Sequence, residues 1–163
     1  MTRTEAHQCC GTEAPVYALA HAERFVVWAS RVWIEAHGSG RLPCRRLQAM
    51  FHHLRLQDCI GPFYSLFTFL AHEASRDLDF RCPGCKLLGD DERRLLTLLA
   101  AYQQGAVRAA EIVLEDWLPE PMADRAAYPA RLVANTLAEN GLLLRGVAGP
   151  RDLADMAVRA MAH

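Results

Sequence analysis

Residues 16–36 read VYALAHAERFVVWASRVWIEA, and this stretch decides the fold class. Ala18, Ala22, Phe25, Ala29, Val32 and Ala36 recur at steps of three and four, with Leu19, Val26 and Trp33 beside them. Such steps return to one side of a helix, whose side chains come round about every 3.6 residues. Arg24, Arg31 and Glu35 fall between the apolar positions and are expected to face solvent. Polar and apolar residues do not alternate here as a strand requires, so the pattern predicts a long amphipathic helix, ended by the run from His37 to Gly40.

The same spacing continues outward. Pro43 stands where a first helical turn tolerates proline, and Leu47, Met50, Phe51 and Leu54 predict a short second helix. Gly61 and Pro62 read as a restart, followed by a third helix with Phe63, Leu66, Phe67, Leu70 and Ala74 on one face. Leu78 to Arg81 alternates apolar and polar and leads into Cys82-Pro83-Gly84-Cys85, where proline and glycine predict a tight turn. Asp90 reads as the N-cap of a fourth helix carrying Leu95, Leu98, Leu99 and Tyr102 to a stop at Gly105. Val107, Ala110, Leu114 and Trp117 predict a fifth, closed by Pro119.

Residues 119–129 read as irregular, with a further helix from Ala130 through Val133 and Leu137 to a cap at Asn140 and Gly141. Leu142 to Val147 reads as a short extended piece, and Pro150 as the opening of a last helix with Leu153, Met156, Ala157 and Ala160. The sum is an all-α fold, a compact bundle of about six or seven helices with one short Cys-x-x-Cys turn. Residues 1–14 are expected to form a flexible or metal-tied N-terminal segment, and residues 15–163 a single helical domain.

At 163 residues, 52% of them hydrophobic, the chain can bury a core without disulfide staples. Its formal net charge of -1 supplies no general attraction for nucleic acid or anionic lipid. The apolar stretch of the first helix is broken by His21, Glu23, Arg24, Arg31 and Glu35, so no membrane span is expected. Without an export signal, the six cysteines are expected to remain reduced, which points to a cytoplasmic protein.

Among the cysteines, Cys82 and Cys85 form the one pair with chemical spacing. Two thiolates separated by two residues can reach one zinc ion, which takes four ligands in a structural site. No second such pair and no His-x-x-x-His completes the set, leaving His7, Cys9, Cys10, Cys44, Cys59, His52, His53 and His72 as candidates. His7 with Cys9 is the expected choice, because a tail poor in apolar residues has little else to anchor it. The competing readings are an unadorned turn and a thiol-disulfide oxidoreductase with Cys82 as nucleophile and Cys85 as resolving partner. Lys86 occupies the place where c-type haem attachment needs histidine, which excludes that cofactor. Cys44 and Cys59 read as small core filler.

Arg45, Arg46, His52, His53 and Arg55 gather on the polar side of the second helix. The plain reading is a solvated face; the functional one is a surface for phosphate, nucleic acid or an acidic partner. Nucleotide-binding loops, nucleophile elbows and His-Glu-x-x-His zinc motifs are all absent from the sequence, so no residue is assigned a catalytic role. The leading reading is a helical binding or regulatory protein stabilised by one structural zinc, meeting another protein or a second copy of itself. Trp28 and Trp33 on the first helix would supply a self-association face if both could not be buried.

Overall fold

The computed structural model describes residues 14–146, and six α-helices account for most of them. They are α1 (His21–Gly38), α2 (Arg45–His53), α3 (Gln57–Glu73), α4 (Asp90–Gln103), α5 (Val107–Trp117) and α6 (Glu120–Glu139). None is long and apolar enough to cross a membrane. The helix expected after Pro150 lies outside the described residues, as do His7, Cys9 and Cys10.

The opening stretch folds as its spacing predicts, with one adjustment. Val16–Ala18 form a single 3-10 turn, and the regular helix begins only at His21, where Glu23 reaches back to accept the N–H of Ala20 at 2.9 Å. Ala22, Phe25, Val26, Ala29, Val32, Trp33 and Ala36 are buried, so the apolar stripe faces the core from Ala22 onward, while Ala18, in the 3-10 turn, is exposed. Trp33 is buried and Trp28 half-buried against Phe25, so α1 does not leave two indoles exposed.

Two prolines expected to break the chain sit inside helices. α3 runs through Gly61 and Pro62 because Cys59, Phe63, Leu66, Phe67 and Leu70 make one continuous buried stripe on both sides of them. The amide missing at Pro62 would have served the carbonyl of Asp58, an exposed residue where water can take its place. α6 likewise begins at Glu120 and passes through Pro129, so residues 120–129 are helical, not irregular. Its buried stripe of Ala123, Ala126, Ala130, Val133, Ala134 and Leu137 is small-sided, which lets α6 lie close against α3. Leu78 to Arg81 run as irregular backbone toward the turn at Pro83 and Gly84.

The core joins two groups of helices. α4, α5 and α6 pack on one another, α3 lies along α6, and α1 contacts α2, α3 and α4. A row of rings runs through the middle: Phe25 against Phe51, Phe51 against Phe63, and Phe63 against Phe67, with centroids 4.6–5.3 Å apart. Leu47 and Phe51 are the only fully buried side chains of α2, so this short helix is held by two anchors and turns its other sides outward.

Candidate functional site

The N-cap of α4 is Gly89 and not Asp90, a shift of one residue that changes which carboxylates point back. Asp91 and Glu92, in the first helical turn, both face the preceding loop of residues 74–89 and organise it from within. Glu92 accepts the N–H of Gly89 at 2.8 Å and that of Arg81 at 3.0 Å. Gly89 is required by contact: a Cβ there would stand 2.3 Å from the carbonyl oxygen of Asp79.

Arg31, expected at the surface, is instead 3% exposed and pairs with Glu92 through two bonds of 2.6 and 2.7 Å. Its other N–H groups reach the loop backbone, at the carbonyls of Cys85 (2.5 Å), Leu87 (2.8 Å) and Cys82 (3.3 Å). All five donors of the guanidinium are thereby engaged, which is what makes its burial tolerable. In sequence, an arginine on the flank of an amphipathic stripe looks the same whether it meets water or a loop.

Asp91 organises the other half of the loop. It accepts from Arg76 at 2.7 and 2.9 Å, from the N–H of Asp79 at 2.6 Å and from the indole of Trp117 at 2.8 Å. Burial pushes its carboxyl upward, but these four donors outweigh it and the carboxyl titrates below its ordinary value. Arg76 also meets Asp116 at 2.9 Å, and Asp116 in turn pairs with Arg94. A cavity of about 620 Å³ lies between α1, α3 and this half of the loop, bordered by His37, Leu70, Ala74, Leu78 and Phe80.

Cys82 and Cys85 sit on the clamped loop as free thiols, Cys82 exposed and Cys85 half-buried. The N–H of Cys85 donates to the carbonyl of Cys82 at 3.0 Å across Pro83 and Gly84. The chain preceding α1 enters beside them. The N–H of Val16 donates to Lys86 at 2.8 Å and that of Leu88 to Ala14 at 3.1 Å, with Pro15 opposite Leu87.

Among the described residues, no group of three or more His, Cys, Asp or Glu side chains is placed to hold a metal ion. His52, His53, His72, Cys44 and Cys59 therefore do not complete a cluster with Cys82 and Cys85, and the expected partners His7 and Cys9 lie outside those residues. His52 contacts Gln57 at 3.0 Å, and His72 stands edge-on to His37, 5.4 Å between centroids. Cys59 is buried in α3 and burial pushes its thiol up to about 12, the behaviour of core filler. Cys44 is half-buried, and its backbone N–H donates to the hydroxyl of Tyr64 at 2.9 Å.

The second group of expected site residues is brought together as a surface. Arg45, Arg46, His52, His53 and Arg55 are all exposed, on α2 and the residues that close it. Arg55 has φ +59°, the left-handed conformation. Its N–H donates to His52 and that of Leu56 to Phe51, the bonding pattern of a helix end that glycine usually completes. Comparison with known protein families, curated proteins and solved structures finds no match to this chain.

Proposed function

We propose that the chain is a helical binding or regulatory protein of the cytoplasm, carrying one structural zinc on Cys82 and Cys85 with His7 and Cys9 as further ligands. The observation that carries this reading is the clamp on the loop. Arg31 gathers the carbonyls of Cys82, Cys85 and Leu87, fixing the backbone that bears both thiols without any help from a metal. Ligands already held in place lose less conformational freedom when an ion binds, which favours uptake.

The entry of the N-terminal chain supports the choice of partners. Ala14 to Val16 run antiparallel to Lys86 to Leu88, so the peptide bearing His7 and Cys9 joins the fold at Leu88, three residues beyond Cys85. Cys9 precedes Ala14 by five residues, a reach of at most roughly 17 Å for extended chain. Nitrogen and thiolate donors of this kind suit a closed tetrahedral zinc site.

The dithiol oxidoreductase reading has less support. α4 begins at Asp90, five residues beyond Cys85, so neither thiol occupies the helical first turn that activates such pairs. The test is zinc content per chain on untagged protein, for the wild type, Cys82→Ser and Cys9→Ser. One equivalent in the wild type that both substitutions remove is the expected result. A wild type without zinc, or zinc retained in Cys82→Ser, overturns the reading.

A further inference from the structure

We infer that the outer face of α2 is a docking surface for an acidic, partly apolar segment of a partner protein. This deepens the binding-protein reading given above, but it does not depend on zinc. Between Glu35 and Asp58 the sequence contains no carboxylate, while it places Arg41, Arg45, Arg46 and Arg55 there together with His52 and His53. In the structure Arg45, Arg46 and Arg55 are exposed and form no ion pair with any described residue. The arginines of α4 and the adjoining loop behave differently: Arg76, Arg81, Arg93 and Arg94 each meet a carboxylate.

Charge alone would fit any polyanion, and the neighbours of these cations narrow the choice. Met50, one turn beyond Arg46, packs against the core with part of its side chain left exposed, and so do Leu42 just before α2 and Leu54 at its C-terminal end. Phosphate backbones gain nothing from such apolar surface, whereas an amphipathic acidic segment covers it while its carboxylates meet the guanidinium groups. The helix rises about 13 Å over its length, enough for two or three turns of a partner helix and short for a nucleic-acid track. The anchors Leu47 and Phe51 fix the face, so docking requires no rearrangement of α2.

The experiment measures binding of a labelled short peptide built from repeated Glu-Glu-Leu-Leu units to the full chain, beside polyglutamate and a single-stranded DNA oligonucleotide of equal charge. The expected result is saturable binding of the mixed peptide, tighter than either competitor. It should weaken about tenfold in the double variant Arg45→Glu, Arg46→Glu, fall several-fold in Met50→Gln, and decrease with added salt. Absence of saturable binding, affinity unchanged in the double variant, or tighter binding of the oligonucleotide overturns the inference. Should the charge reversal abolish the thermal transition, Arg45→Gln with Arg46→Gln serves in its place and is read in the same way. Repeating the titration on Cys82→Ser separates this surface from the zinc proposal, because the peptide should bind that variant as it binds the wild type.

Discussion

Asp91 and Glu92 at the start of α4 each hold an arginine from elsewhere in the chain, whereas Arg45, Arg46 and Arg55 around α2 hold no described carboxylate. Asp91, Glu92 and Arg31 are buried, with Arg76 reaching in from the exposed rim, whereas the cations around α2 are exposed; the difference follows from what water can do. A charge removed from water must find opposite charge and hydrogen bonds within the protein, and here it finds them across the loop of residues 74–89. A charge left in water is screened and needs no partner to be tolerated. One region therefore uses charge to fix a backbone; the other leaves its charge available.

The strongest way to break that contrast is to remove one member of the buried pair. Glu92→Ala leaves Arg31 buried without its carboxylate and is expected to cost about 3–5 kcal/mol of stability, read by urea denaturation. A loss below about 1 kcal/mol would mean that water reaches Arg31 and that the loop is not clamped as described. Trp117→Phe tests the other half more gently. It removes the indole donor to Asp91 and some packing volume, for an expected loss of about 1–3 kcal/mol.

The pH dependence of stability sharpens the same point. The carboxyl of Asp91 titrates lower in the folded chain than in the unfolded one, so its contribution is fully present above about pH 4. That contribution is lost as pH falls through the folded value. Asp91→Asn should therefore flatten the decline in stability on acidification, and parallel acid profiles for variant and wild type would contradict the assignment.

Smaller effects are expected at α2. Arg55→Gly relieves a left-handed backbone that glycine adopts freely and should be stabilising by about 1 kcal/mol. Arg45→Gln should leave stability within about 0.5 kcal/mol of the wild type, measured by thermal unfolding. A clear loss there would show that the face supports the fold and is not merely presented by it.

Much of the fold was legible because burial repeats along a helix. The stripe from Ala22 to Ala36 and the cap at Asn140 and Gly141 are local patterns, and both appear in the structure as read. Pro62 and Pro129 misled because a proline's missing amide is a local signal, outweighed here by apolar stripes continuing on both sides of it. Asp90 misled by one residue because the capping carboxylate is Glu92, acting on Gly89 from within the helix. For the candidate site, spacing picked out Cys82 and Cys85, but nothing in it indicated that Arg31, 51 and 54 residues earlier, grips the backbone between them.

The sequence by itself determined the helical class, the chain's apolar faces and the crowding of cations around α2, since each depends on neighbours within a few positions. Only the tertiary structure decided that Arg31 is inside, that Asp91 and Glu92 bind a loop, and that Ala14 to Val16 lie beside Lys86 to Leu88. These are pairings between distant segments, and a buried charge selects its partner by where the backbone brings it, which no local spacing encodes.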